Sequence, residues 1–102
     1  MNTTITKKNK QMVYADFNNL DEKPNWIRLN CLGTIRDMKS WRIIPEEGRP
    51  ITFYTDDMDD DKNTDNILIE GKFHYNSKSK QWVAILDWDT LRHESDEQRK
   101  SK

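Results

Sequence analysis

The sequence predicts an all-β, or at least mostly β, domain: a small antiparallel sheet of five to six strands, curled into a partly closed barrel of SH3-like or OB-like type. Three observations predict it. Apolar side chains alternate with a period of two across most of the stretch from Trp26 to Trp88. The alternating runs are short and are separated by clusters of Gly, Pro, Asn, Ser and Asp, the residues that make turns. Leu, Ile, Val and Phe together number only 20 in 102 residues, so four Trp and three Tyr must supply much of the core. Each such ring buries about 150–250 Å². A sheet this small covers its apolar face best by curling.

The elements follow in order. Residues 1–10, with Lys7, Lys8 and Lys10, read as a flexible leader. QMVYADF, 11–17, reads as a first or edge strand. WIRLNCLGTI, 26–35, reads as one strand, with Ile27, Leu29, Cys31 and Ile35 on one face and a bend at Gly33. RDMKSW, 36–41, has room for a single helical turn. PEEGRP, 45–50, is a turn in which Gly48 takes positive φ. PITFYTD, 50–56, is a strand that Pro50 opens, because proline cannot donate to a ladder.

ILIEGKFHY, 67–75, is the clearest strand, with Ile67, Ile69, Phe73 and Tyr75 on one face and Leu68, Glu70, Lys72 and His74 on the other. NSKSK, 76–80, is the hairpin loop. QWVAILDW, 81–88, is a central strand with Trp82, Ala84, Leu86 and Trp88 on one side. The single domain is expected over 11–91, in sequence order. Residues 92–102 carry no large apolar side chain and read as a flexible charged tail.

Seventeen basic side chains nearly cancel eighteen acidic ones, which argues against a general polyanion binder. The single Cys31 excludes an internal disulfide and a cysteine zinc cage. No apolar run approaches the ~18 residues that cross a membrane, and no apolar leader follows MNTTITKKNK. A cytoplasmic protein without a cofactor is the expectation.

DDMDDDKNTDN, 56–66, is the most chemical stretch, with Asp at six of eleven positions. From Asp59 its spacing resembles a calcium loop. Thr64 stands where the sharp turn needs Gly, however, and Glu70 belongs to the strand, about 16 Å further along extended backbone. The stretch therefore reads as a solvated hairpin loop, with weak calcium binding through Asp57, Asp59, Asp61, Asn63 and Asp65 as the alternative.

No catalytic motif is present. The histidines are His74, on a polar strand face, and His93, in the tail. Cys31 alternates with apolar neighbours, and Asp87 with Asp89 reads as strand-end capping. What remains is binding. Trp, Tyr and Arg anchor protein interfaces most often, and the candidate partner-binding residues are Trp41, Arg42, Tyr54, His74 and Trp82. The expected partner is another protein. The alternative is single-stranded nucleic acid stacked on the same rings beside Arg36, Lys39, Lys72, Lys78 and Lys80.

Overall fold

A computed structural model of the chain describes residues 11–56, 62 and 64–96. The described residues are mostly β, with 46 % of them in strands and 16 % in helix. Five strands and one helix follow in order: β1 (Met12–Tyr14), β2 (Trp26–Arg28), α1 (Leu32–Trp41), β3 (Pro50–Thr55), β4 (Ile67–Asn76) and β5 (Gln81–His93). The strands form one mixed sheet in the order β1-β3-β4-β5-β2, curled into a half-barrel.

β3, β4 and β5 are the antiparallel meander that the alternation predicts. Phe53 pairs with Ile69, and Phe73 pairs with Ala84. The pairing places Ile51, Phe53, Ile69, Gly71, Phe73, Ala84 and Leu86 on one face. These residues, Gly71 apart, join Val13, Ala15, Ile27, Leu29 and Ile43 in the core, with Phe17, Met38, Trp41 and Trp82 packed against it. Ile67 and Ile69 share a flank, as expected, since they pair with Thr55 and Phe53.

Three expectations need correction. The sheet is neither wholly antiparallel nor in sequence order, because β1 lies parallel to β3, with Val13 opposite Phe53. A parallel neighbour needs a long crossover. Everything from Ala15 to Arg49 provides it, taking β2 to the far edge on the way. Second, residues 26–35 are not one strand. β2 stops at Arg28, and Leu32 to Trp41 form a helix of ten residues instead of a single turn. The buried side of that helix is Thr34, Met38 and Trp41, a spacing of four and three that fits a helix and not a strand. Third, β5 continues past Leu91. Leu68 pairs with Arg92, and Arg92 Nη2 meets Glu70 Oε2 at 2.7 Å. Residues 94–96 are then helical.

Both edges of the sheet are covered, which removes the pairing hazard of an open strand. At the β1 edge, the Ala15 N–H bonds to the Tyr54 carbonyl at 2.9 Å, so the backbone of Tyr14 faces outward. Helix α1 takes up both groups. The Tyr14 N–H donates to Asp37 Oδ2 at 3.0 Å, and its carbonyl accepts from Thr34 Oγ1 at 2.6 Å. Two helix side chains thus stand in for a neighbouring strand. At the other edge, residues 19–21 lie along β2, with the Arg28 N–H on the Asn19 carbonyl and the Asp21 N–H on the Trp26 carbonyl.

A polar hub fixes that second cover. The Asp21 side chain is 4 % exposed and accepts from Asn76 Nδ2 at 2.8 Å and from Arg28 Nε and Ser79 Oγ at 3.3 Å. Burial raises its pKa, but the three donors outweigh that and hold it below the usual value. Asn76, itself buried, also reaches Glu22 and accepts the Lys78 N–H, so none of its polar atoms is stranded.

A candidate partner-binding groove

The groove is built by the end of α1. Arg42, directly after the helix, takes the left-handed conformation, φ 57° and ψ 42°. The Ile43 N–H bonds back to the Met38 carbonyl at 2.8 Å and the Arg42 N–H to the Lys39 carbonyl at 3.1 Å. This is a Schellman stop, normally made with Gly, and a non-Gly residue there costs about 1–2 kcal/mol. Burial of Ile43 in the core, with Met38 packed against that core, offsets the cost. The reversal sends Ile43 inward and leaves Ile44 72 % exposed.

Between α1, the start of β5 and Pro45 lies a mostly apolar groove of about 290 Å³ lined by Leu29, Asn30, Ile35, Met38, Pro45, Gln81 and Trp82. Trp82 forms its indole wall and is held edge-on by Tyr75, centroids 5.4 Å apart. Ile35 is 50 % exposed and Leu32, one turn earlier on the same helix, 85 %. Neither has a core to enter, because the helix already turns Thr34, Met38 and Trp41 inward. The volume falls just short of the roughly 300–1,000 Å³ that ligand sites occupy. It suits one large apolar side chain.

The five residues expected to bind do not converge. Trp82 lines the groove, Trp41 packs half-buried at the end of α1, and Arg42 is the exposed stop. Tyr54 and His74 point from the opposite face of the sheet, since their partners there are Leu68 and Val83. His74 is also engaged: its ring lies 4.8 Å from that of Trp26, and Nδ1 meets Glu47 Oε2 at 2.7 Å. Glu47 accepts the Tyr75 N–H as well, and these two contacts, the backbone one first, hold its pKa below the usual value.

Tyr54 is a structural latch. Its hydroxyl donates to Asp37 Oδ2 at 2.7 Å, tying β3 to α1. Burial, aided by the Asp37 carboxylate, pushes its pKa from 10.0 up to about 12. The folded value exceeds the unfolded one, so this contribution to stability is complete below pH 10 and is lost as pH climbs through 12. In an alkaline titration followed by phenolate absorbance, one tyrosine should ionise near 12. Asp37→Asn should bring that midpoint back toward 10.

Asp57, Asp59, Asp61 and Asn63 of the acidic stretch lie outside the described residues. Asp65 accepts both the N–H and the Oγ–H of Ser95, at 3.0 and 2.8 Å, and so fastens the helical residues 94–96. Among the described residues no three His, Cys, Asp or Glu gather as metal ligands. The Asp87 carboxylate accepts the Asp89 N–H at 3.1 Å inside β5, not at a strand end as the sequence suggests, beside the irregularity where Glu70 pairs with Asp87 and Leu68 with Arg92.

Sequence reasoning missed Leu29, Asn30, Ile35, Met38, Pro45 and Gln81 as one surface. The available signal was Leu32 with Ile35, three apart in a run whose other large apolar residues are Met38 and Trp41, followed by the adjacent pair Ile43–Ile44. A strand assignment for 26–35 hides it by sending Ile35 into the core.

Comparison with protein-family models, with curated proteins and with solved structures found no match. Fold and groove together define a small mixed-sheet β half-barrel with a helix along one edge. Among the described residues no helix is long and apolar enough to cross a membrane.

Proposed function

We propose that this domain is a non-enzymatic, cytoplasmic protein-binding module, and that the groove between α1 and β5 takes an apolar side chain of its partner. One observation carries the reading: the two most exposed aliphatic side chains among the described residues, Leu32 and Ile44, stand in the chain one helical turn before Ile35 and directly before Pro45, both of which line the apolar groove. Burying one large apolar side chain contributes about 1.5–3 kcal/mol. A surface of this extent suits a transient contact anchored on one or two residues. The SH3-like or OB-like character of the curl belongs to the same proposal: a short sheet around one core, with its binding surface outside the paired strands.

The test is panning of a random-peptide library on the full chain and on Ile35→Glu. Ile35 is already half in solvent, so that variant should keep the wild-type melting temperature. The expected result is a set of peptides sharing an apolar anchor and bound at least about tenfold more weakly by Ile35→Glu, a change of 1.4 kcal/mol. Equal binding by the two proteins would overturn the reading. So would a labelled single-stranded oligonucleotide that binds tightly at low salt and is released as salt rises, which would assign the surface to nucleic acid.

A further inference from the structure

We infer that the segment entering the groove is acidic, an apolar anchor flanked by Asp or Glu. The inference rests on the groove reading and adds the chemistry of the partner. Lys39 lies one helical turn beyond Ile35, on the exposed side of α1. Arg42 is the exposed residue at the helix stop, two before Ile44. Lys80 is exposed beside the lining residue Gln81. Among the described residues none of these three cations forms an ion pair.

Other cations near the same elements are committed. Arg28 meets Asp21 at 3.3 Å, Arg36 meets Asp37 at 3.2 Å, and Lys78 meets Glu22 at 3.2 Å. The acids are engaged in the same way. Asp37 holds Tyr14 and Tyr54, and Glu47 holds His74 and Tyr75. Of the carboxylates next to the lining, Glu46 alone shows no side-chain partner among the described residues. Three exposed cations without an ion pair thus lie within a few residues of the lining along the chain, against one such carboxylate, Glu46, in a chain whose net charge is −1.

Charges left unpaired around an apolar site select the partner with the complementary sign and repel others. A second copy docking through the same patch would set these cations against their own kind. An acidic segment would meet charge of the opposite sign.

The same panning decides this, on the wild-type full chain and on a variant carrying Lys39→Glu, Arg42→Glu and Lys80→Glu. The expected result is Asp and Glu enriched beside the apolar anchor on wild type, and Lys and Arg enriched on the reversed variant. Affinity of the acid-flanked peptides should fall about tenfold as salt rises, since exposed pairs are screened. An apolar anchor sensitive to Ile35→Glu but with neutral flanks on both proteins overturns this inference and leaves the groove reading intact. If the cations serve only to offset the α1 dipole, Lys39→Gln with Arg42→Gln lowers the melting temperature and leaves affinity unchanged, which also overturns it. No anchored consensus at all brings down both readings. Wild-type self-association that Ile35→Glu abolishes would give the groove to a second copy.

Discussion

Phe73→Ala should lower the free energy of unfolding by about 3–5 kcal/mol, the range for emptying a buried aromatic site. Phe73 has no exposed surface and lies in the middle of β4, opposite Ala84. Its ring meets that of Phe53 edge to face, with centroids 6.1 Å apart and an angle of 82°. Collapse cannot refill the gap cheaply. The backbone on both sides is pinned, with the Phe73 N–H on the Arg49 carbonyl and the Gly48 N–H on the Phe73 carbonyl. Domains of this size hold about 5–15 kcal/mol in all, so the loss is a large fraction. A denaturant midpoint that falls with an unchanged slope is the expected signature. The melting temperature should drop by about 4–8 °C for each kcal/mol. A loss below about 1 kcal/mol would mean that the core lies elsewhere.

Gly71→Ala should also destabilise, by about 1–3 kcal/mol and toward the upper end. Gly71 faces the core between the rings and Leu86. A Cβ there would lie 2.9 Å from the Ile85 carbonyl oxygen, 3.1 Å from Leu86 Cδ2 and 3.1 Å from Phe53 Cε2. Side chains can turn aside, but the carbonyl belongs to the neighbouring strand and cannot. Replacing Gly by Ala elsewhere tends to gain about 0.4–1 kcal/mol by stiffening the unfolded chain. Here the clash exceeds that gain, so the sign reverses. Thermal melting of the variant checks it, and equal or higher stability would show that β4 and β5 are further apart than described.

These two sites show what alternation can and cannot reveal. Along β4 the inward set Ile69, Gly71 and Phe73 was legible because both faces differ sharply in polarity. The hairpin loop at 76–80 and the turn with Gly48, φ 79°, were legible because their residue types leave few alternatives. Helix α1 was not. Its signals are faint: Cys31 gives no side-chain cap, and the stop uses Arg42 where Gly usually marks the end. Leu29, Cys31 and Gly33 meanwhile continue the strand pattern by coincidence. The parallel placement of β1 was illegible for another reason, since three residues say nothing about the strand they choose. The decision is tertiary, taken where Asp37 and Thr34 receive the Tyr14 backbone.

The groove's legibility follows from the same helix. Trp82 is conspicuous as a large ring at a strand start, whereas Ile35 and Met38 line the groove only because 32–41 is helical. Tyr54 and His74 lie on the other face of the sheet, each hydrogen-bonded to a carboxylate, a placement that alternation alone does not reveal.

The most direct measurement is an amide chemical-shift map of the full labelled chain, titrated with an apolar-anchored peptide selected by panning. The groove account predicts perturbations concentrated at Leu29–Asn30, along α1 to Pro45, and at Gln81–Trp82. Shifts concentrated instead at Trp26, His74 and Val83, with α1 unmoved, would contradict it.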